Sequence, residues 1–213
     1  MRILVSVFLL MHICLVTLVS AAEQIDIVDM PIIWNDEKIR LTQEYTELHY
    51  GQPQTEIIPQ AVVVHWTAAD TWQSTYYHFY REYLHDGTLN VASHFLVDRD
   101  GTIYRLTPET RLNRHTIGYN WCAVGIENVG GVDNAEDLTY EQLVANIKLI
   151  RYLHAQFPTI RYVFGHYQQE AARSSGLYIE NVTGYYSIKS DPGATFMRDL
   201  RENLADDNLV FFD

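Results

Sequence analysis

Cysteine is scarce in this chain, and its scarcity excludes a fold held together by disulfides. Of 213 residues only Cys14 and Cys122 are cysteines, and Cys14 lies in an N-terminal apolar run that we expect to be removed. A secreted domain with one thiol has no internal disulfide and must be stabilised by its apolar core or by a metal. Repeats and long linkers are also lacking, so the length is that of one domain.

Basic residues are few. The chain has 15 Lys and Arg against 27 Asp and Glu, a net charge of -12. Loss of Arg2 with the N-terminal run would change this to -13. An acidic surface repels phosphate backbones, which argues against a nucleic acid as partner.

Only one long hydrophobic run is present, at residues 3–20, after the single basic residue Arg2 and before the small residues Ser20, Ala21 and Ala22. This pattern predicts a signal peptide over residues 1–22, export through the Sec-type route, and a periplasmic or extracellular protein without a stable membrane anchor. The alternative is an uncleaved anchor, because the run has the length of a short transmembrane helix. The polar His12 and Thr17 and the small-residue exit favour cleavage.

The remaining chain predicts a single α/β domain with a central mixed sheet flanked by helices. Residues 23–57 are predicted to be an N-terminal extension packed on a catalytic domain at 58–213. Strands are expected at 61–65, 94–97, 102–106, 123–127 and 160–164, and helices at 35–49, from Asp70, from Thr139 and at 193–204. The second and third strands form a hairpin in which Gly101 supplies a positive φ.

Capping patterns define where two of these helices begin. Asp70 with Gln73, and Thr139 with Gln142, have the spacing of a capping box. The apolar spacing then predicts the buried side of each helix. These residues are Trp72, Tyr76, Phe79, Tyr80 and Tyr83 in the first, and Tyr140, Leu143, Val144, Ile147, Ile150, His154 and Phe157 in the second.

Two histidines and an aspartate are the candidate metal ligands. His65 and His166 each stand at the end of a predicted strand, where ligands of α/β folds collect, and a catalytic zinc needs three protein ligands and one open position. Each histidine can instead be an ordinary half-buried residue. Asp191, followed by Pro192, also suits the N-cap of the last helix.

Two charged residues are candidates for the chemistry. Glu127 ends an apolar strand and can transfer protons if it lies near an activated water. Lys189 lies two residues before Asp191, so an extended segment would place both on one side, where a cation can stabilise an oxyanion. A surface carboxylate and a solvated lysine are the alternatives.

Six motifs occur in order and together resemble the type 2 N-acetylmuramoyl-L-alanine amidases, whose relatives include phage lysozyme-type amidases and peptidoglycan recognition proteins. They lie at 62–68 (VVVHWTA), 93–103 (with SHF and DRDGTI), 115–120 (HTIGYN), 124–127 (VGIE), 165–166 (GH) and 189–193 (KSDPG). The resemblance covers about residues 58–204. It implies a mixed sheet with flanking helices, one Zn2+ per chain, and hydrolysis of the amide between N-acetylmuramic acid and L-alanine in peptidoglycan or its muropeptides.

The resemblance also implies roles for residues. His65, His166 and Asp191 would bind the zinc, Glu127 would be the catalytic carboxylate, and Lys189 would stabilise the transition state. Some branches have cysteine as third ligand; here that position is Asp191, which leaves Cys122 as a core thiol. Candidate contacts to peptidoglycan or muropeptides are Trp66, Thr67, His94, His115 and Tyr119, although each can instead be a packed residue.

One segment departs from the family pattern. Between the second histidine and Lys189 the chain has a longer stretch, residues 167–188, and loops of this kind often shape a substrate groove. A non-catalytic peptidoglycan-binding module is the alternative function, but retention of all three ligand positions favours an enzyme. The sequence does not determine the oligomeric state, the stem-peptide type or the preferred substrate form. It also does not determine whether the enzyme acts on the wall of its own cell or of another cell.

Overall fold

A computed structural model describes residues 25–213, so the predicted signal peptide at 1–22 lies outside the described residues. Seven strands form one sheet in the order β1-β4-β3-β5-β2-β6-β7. In chain order they are β1 (Ile27–Asp29), β2 (Ala61–Trp66), β3 (Phe95–Val97), β4 (Ile103–Arg105), β5 (Ala123–Asn128), β6 (Tyr162–Gly165) and β7 (Val210–Phe211). All neighbours pair in parallel except β3 and β4.

This arrangement confirms the predicted mixed sheet and its hairpin, in which Gly101 has φ +85. The two edge strands were missed, because strands of three and two residues give no readable alternation. β1 comes from the predicted N-terminal extension and pairs with β4, so this segment is hydrogen-bonded into the same sheet.

The sheet is covered on both faces. Four α-helices accompany it in residues 25–213: α1 (Asp36–Tyr50), α2 (Trp72–Phe79), α3 (Tyr140–Gln156) and α4 (Ala194–Asn203). Val62 and Val64 of β2 belong to the core cluster with Leu149 of α3 and Leu200 of α4. Val63 belongs to the cluster on the opposite face. Burial on both faces explains why β2 is a continuous apolar run.

The helix starts were predicted unevenly. Asn35 caps α1 by accepting the Lys38 N–H, and the Thr139–Gln142 capping box of α3 is confirmed. The predicted cap at Asp70 was wrong, because Thr71 accepts the Ser74 N–H and begins α2 one residue later.

The predicted buried sides were also partly wrong. α2 ends at Phe79, which leaves Tyr80 and Tyr83 exposed, and Tyr140 at the start of α3 is 74% exposed. In α3 the buried side includes Gln142 and Asn146. The Gln142 amide donates to the Val97 and Val129 carbonyls, and Asn146 donates to the Asn128 side chain. The amide nitrogens of both residues are buried here because acceptors in and next to the sheet take their hydrogen bonds.

Cys122 is buried, as predicted for a core thiol, and forms no disulfide within residues 25–213; burial raises the pKa of its thiol. No helix in residues 25–213 has both the length and the apolar character needed to cross a membrane.

Candidate metal and catalytic site

Three adjacent strands bring the predicted site residues to one edge of the sheet. In the parallel register of β2 and β5, His65 pairs with Glu127. In the register of β2 and β6, Val64 pairs with Gly165. The next residue after each of these is a histidine, so His166 lies next to His65. Residues paired on adjacent strands project to the same face. The sheet therefore places His65, His166 and Glu127 together at its carboxyl edge, where α/β folds bind ligands.

Asp191 reaches this edge through a close approach of two loops. A Cβ added to Gly165 would lie 2.7 Å from Pro192 Cδ. Only glycine therefore allows the end of β6 to approach the Asp191–Pro192 segment so closely. The Tyr167 N–H donates to the Asp191 carbonyl at 2.9 Å and fixes the contact. His166 is thereby held beside Asp191.

The N-cap role weighed for Asp191 is wrong. Gly193 occupies the N-cap position of α4, and as a glycine it has no side chain that could cap the helix. The Ala194 and Thr195 N–H groups instead donate to the carboxylate of Glu136, each at 3.1 Å. Because Glu136 satisfies these donors, the carboxylate of Asp191 is left for other partners.

The three candidate ligands converge through specific atoms. His65 Nδ1 lies 3.0 Å from His166 Nδ1 and 3.1 Å from Asp191 Oδ2, and His166 Nδ1 lies 3.2 Å from the same oxygen. Tetrahedral zinc with bonds of about 2.0–2.1 Å spaces its ligand atoms about 3.3 Å apart. The donor set and its spacing therefore fit zinc with small adjustments. These three form the group found in residues 25–213 that could hold a metal.

The protonation states suit a metal site. Burial, together with neighbouring His65, lowers the pKa of His166 to about 4, so its imidazole is neutral at physiological pH. Burial opposes ionisation of Asp191, but hydrogen bonds from His166 and His65 outweigh it and hold the pKa of this carboxyl below its usual range. Neutral imidazoles and an ionised carboxylate are the forms that bind a metal.

A second layer of contacts orients His65. Its Nε2 lies 3.2 Å from His115 Nδ1 and 3.3 Å from Thr116 Oγ1. Partners on the second ring nitrogen are typical of metal-binding histidines, because they fix the tautomer and the ring orientation. His166 differs, since its Nε2 is buried and has no partner among the described residues.

Glu127 lies in an unusual environment. Its Oε2 is buried without a hydrogen-bond partner in the described part of the chain. Desolvation, reinforced by the charge of Asp191, raises the pKa of Glu127 well above its ordinary value, and Lys189 opposes this rise. A carboxyl group with a raised pKa beside a metal site suits proton transfer near neutral pH.

A cavity of about 440 Å³ opens onto this group. His65, His166, Asp191 and Glu127 line it, and the exposed Lys189 lies on its wall. Three of the predicted substrate contacts, Trp66, Thr67 and His115, also line it.

Two of the predicted substrate contacts, His94 and Tyr119, are fully buried and do not line this cavity. His94 accepts the Gly125 N–H and faces the Arg111 carbonyl, and Tyr119 donates to the Gln169 carbonyl. Burial lowers the pKa of His94 to about 4, which keeps it neutral. These hydrogen bonds hold loops around the site, and neither residue lines the cavity.

Other lining residues were not predicted from the sequence to belong to the site. They include Phe79, Arg114, Asn134 and Ile188. Arg114 directly precedes His115 in a recognised motif, and this adjacency is the one signal that could have pointed to it. The other three are brought in by loops and helix ends that carry no motif.

Gly131 makes room for Trp66, and alanine there is expected to destabilise the protein. Gly131 has φ +75, and an added Cβ would lie 2.2 Å from the Trp66 ring. We expect Gly131→Ala to lower the free energy of unfolding by more than about 1 kcal/mol in urea denaturation, because backbone strain and the steric clash add. Gly176→Ala is the matched control, with φ +78 and open space around the added atom. Equal losses in both variants would contradict a clash with Trp66.

Comparison with known proteins agrees with this geometry. The profile of the family described as N-acetylmuramoyl-L-alanine amidase matches residues 53–194, more than half of the chain. The chain therefore belongs to the N-acetylmuramoyl-L-alanine amidase family, of type 2, as its motifs indicated.

Individual relatives are more distant. The chain is 33% identical over 76 residues to the endolysin of Enterobacteria phage T3, covering 35% of this chain and 50% of the endolysin. It is 33% identical over 75 residues to the endolysin of Escherichia phage T7, with the same coverage. The chain thus spans about half the length of the curated relatives it matches.

Solved structures resemble the whole fold. The amidase LysC from Clostridium intestinale URNW aligns with a TM-score of 0.57 at 21% identity, over 88% of this chain and all of LysC. AmpD aligns with a TM-score of 0.53 at 20% identity, over 83% of this chain and 93% of AmpD. At these identities the likeness shows the fold alone, and it confirms the predicted fold class.

Proposed function

We propose that this protein is an exported, zinc-dependent N-acetylmuramoyl-L-alanine amidase that hydrolyses the amide between N-acetylmuramic acid and L-alanine in peptidoglycan or muropeptides. One observation carries the proposal: the buried His65–His166–Asp191 group opens onto a cavity that Glu127 and Lys189 also line. Membership of the amidase family supports the reaction class.

Zinc, when bound by His65, His166 and Asp191, would supply a Lewis acid and lower the pKa of a nearby water. Side chains of the protein transfer the proton and stabilise the developing charge. Glu127 takes the proton of the attacking water on its carboxylate and passes it to the nitrogen of the leaving L-alanine as the amide bond breaks. The ammonium of Lys189 stabilises the negative charge that develops on the carbonyl oxygen.

Export is the second part of the proposal. It is supported by the composition of residues 1–22, an apolar run after one basic residue with a small-residue exit. The substrate fits this location, because peptidoglycan lies outside the cytoplasm. Fractionation of the source cells would test it, and retention of the protein in the cytoplasm would overturn it.

The reaction is tested by mass spectrometry of muropeptides incubated with purified residues 23–213. We expect free stem peptides that begin at L-alanine. The products should disappear with a chelator and return when zinc is added back. Unchanged muropeptides despite a folded, zinc-loaded protein would overturn the enzymatic proposal and favour a peptidoglycan-binding module.

A further inference from the structure

The segment at residues 189–193 carries two of the proposed site residues, Lys189 and Asp191, and we call it the ligand segment. It belongs to no helix or strand and leads directly into α4. A segment without regular structure has no ladder of hydrogen bonds of its own, so its polar groups must find partners elsewhere. The position of Asp191 therefore depends on what holds the ligand segment.

The loop between β5 and α3, residues 129–139, supplies two of these contacts. Asn134 Oδ1 accepts the hydroxyl of Ser190 at 2.7 Å. The carboxylate of Glu136 accepts the first two N–H groups of α4, each at 3.1 Å. One contact lies directly before Asp191 in the chain and the other shortly after it, so the β5–α3 loop holds the ligand segment on both sides of this residue.

Glu136 also packs against the backbone of the ligand segment. Gly193 has φ +91, and a Cβ added to it would lie 2.6 Å from Glu136 Cγ. Hydrogen bonds from the Thr195 hydroxyl and N–H lower the pKa of the Glu136 carboxyl below its ordinary value. The carboxylate is thus ionised at neutral pH, and a negative charge is favourable at the N-terminus of a helix.

The β5–α3 loop has an unusual backbone where it meets the ligand segment. Asp133 and Asn134 have φ values of 55 and 61, and two successive residues other than glycine in this left-handed region cost free energy. Such conformations persist where surrounding contacts fix them. Here the backbone brings Asn134 to Ser190, and both residues line the cavity at the candidate metal group.

The opposite side of the ligand segment rests on the end of β6, through the Tyr167 N–H that donates to the Asp191 carbonyl at 2.9 Å. The segment is therefore held between two loops that each follow a strand of the site. One of these strands, β5, also carries Glu127. Contacts of the β5–α3 loop can thus set the position of Asp191 and Lys189 relative to Glu127.

We propose that Asn134 and Glu136 are positioning residues, which hold the ligand segment so that Asp191 reaches the two histidines and Lys189 lies on the cavity wall. This rests on the proposed function, in which Asp191 binds zinc and Lys189 stabilises the developing charge. Neither positioning residue is among the three converging ligands. They act through Ser190 and the start of α4, because a ligand that is already held in place binds a metal more tightly than one that must be ordered on binding.

Zinc affinity, measured by competition with a chromogenic chelator, tests the proposal without turnover. We expect Glu136→Ala to weaken zinc binding roughly 10- to 100-fold, the range for residues that support metal ligands. Glu136→Gln should lose less, since its amide oxygen still accepts an N–H group. Asn134→Ala and Ser190→Ala should each weaken binding roughly 2- to 10-fold, the effect of one neutral hydrogen bond. The double variant should lose no more than the larger single loss, because both remove the same bond.

Hydrogen exchange of the Tyr167 amide gives a second readout, which needs no metal. This N–H donates to the Asp191 carbonyl, so its exchange in the zinc-free protein reports how firmly the ligand segment is attached. We expect exchange to be about tenfold faster in Glu136→Ala, because hydrogen bonds to a charged group are lost. Glu136→Gln should restore part of the protection.

Two exposed residues supply matched controls. Glu202 is a carboxylate in the last turn of α4, the same helix that Glu136 caps. Asn208 has φ 55, close to that of Asn134, and lies in a turn. Glu202→Ala and Asn208→Ala should keep the zinc affinity and the Tyr167 exchange rate of the wild type. Thermal unfolding checks that every variant is folded, and Glu136→Gln and Ser190→Ala give the milder tests if the alanine variants of the loop are not.

The outcomes separate this proposal from the proposed function. Wild-type zinc affinity in folded Glu136→Ala, or an unchanged Tyr167 exchange rate, would overturn the positioning role. If the wild type bound no zinc, the proposed zinc dependence would fail, and the exchange rate alone would decide whether Glu136 holds the segment. With saturating zinc and muropeptides, Glu136→Ala should lower kcat more than it changes KM, because Lys189 acts on charge present in the transition state. An unchanged kcat would overturn the part of the proposal that concerns Lys189.

Discussion

Glu127→Gln is expected to lower turnover of muropeptides by roughly 100- to 10,000-fold, the usual contribution of a general acid–base group. Glutamine keeps the shape of the side chain but cannot take a proton from water and deliver it to the leaving amine. Binding of zinc should persist, because Glu127 is not one of the three converging ligands. Steady-state kinetics and zinc content together make the measurement, and near-normal turnover would remove Glu127 from this role.

Stability gives the control for this variant. The pKa of Glu127 in the zinc-free folded protein is raised above its ordinary value of 4.5. Between the two pKa values the folded chain binds more protons than the unfolded chain, so stability falls as the pH rises. Glutamine does not bind or release a proton in this range, so the variant lacks this pH-dependent loss of stability. We therefore expect zinc-free Glu127→Gln to unfold at an equal or higher temperature than the wild type at pH 8, and a lower temperature would mean that lost activity reflects damage to the fold.

Saturating zinc is expected to raise the unfolding temperature of the wild type by about 8–16 °C. A ligand present at 1,000 times its Kd stabilises the folded state by about 4 kcal/mol, and each kcal/mol shifts Tm by about 2–4 °C in a protein of this size. His166→Ala should lose most of the increase, because one of the three converging atoms is removed. Differential scanning calorimetry with and without zinc makes the comparison.

An exposed histidine supplies the control. His78 lies on the surface of α2, outside the lining of the site cavity, and His78→Ala should keep the full zinc-dependent increase. Protonation of His166 should oppose zinc binding only as the pH falls towards its pKa of about 4, because metal binding needs the neutral imidazole. A full increase in His166→Ala would show that zinc binds elsewhere.

Much of the site could be predicted because its residues carry local signals. His65 and His166 were placed at strand ends by short apolar runs, and the strands lie where these runs predicted, within one or two residues. The order of motifs added Glu127, Lys189 and Asp191, and the structure places all three at the same cavity.

Several differences between prediction and structure share one physical origin. Asp191 followed by Pro192 was a reasonable helix cap, but Glu136, distant in sequence, takes over the helix N-terminus. His94 and Tyr119 have the polar and aromatic groups of ligand-binding residues, yet backbone groups of distant segments satisfy them in the interior. In α3, the buried amides of Gln142 and Asn146 displaced the predicted apolar side. A pattern read along the chain contains no information on which distant group will satisfy a polar side chain.

The sequence by itself determined the family, the mixed α/β sheet, the strand ends that carry the two histidines, and the set of residues able to bind a metal. These follow from periodicity, turn residues and ordered motifs, which are properties of neighbouring residues. Only the tertiary structure decided that His65 meets partners 101 and 126 residues away at 3.0 and 3.1 Å, and that α1 and residues 167–188 line a second cavity beside the site. Contacts of such separation depend on packing of the whole chain, because the free energy that fixes them comes from the assembled core.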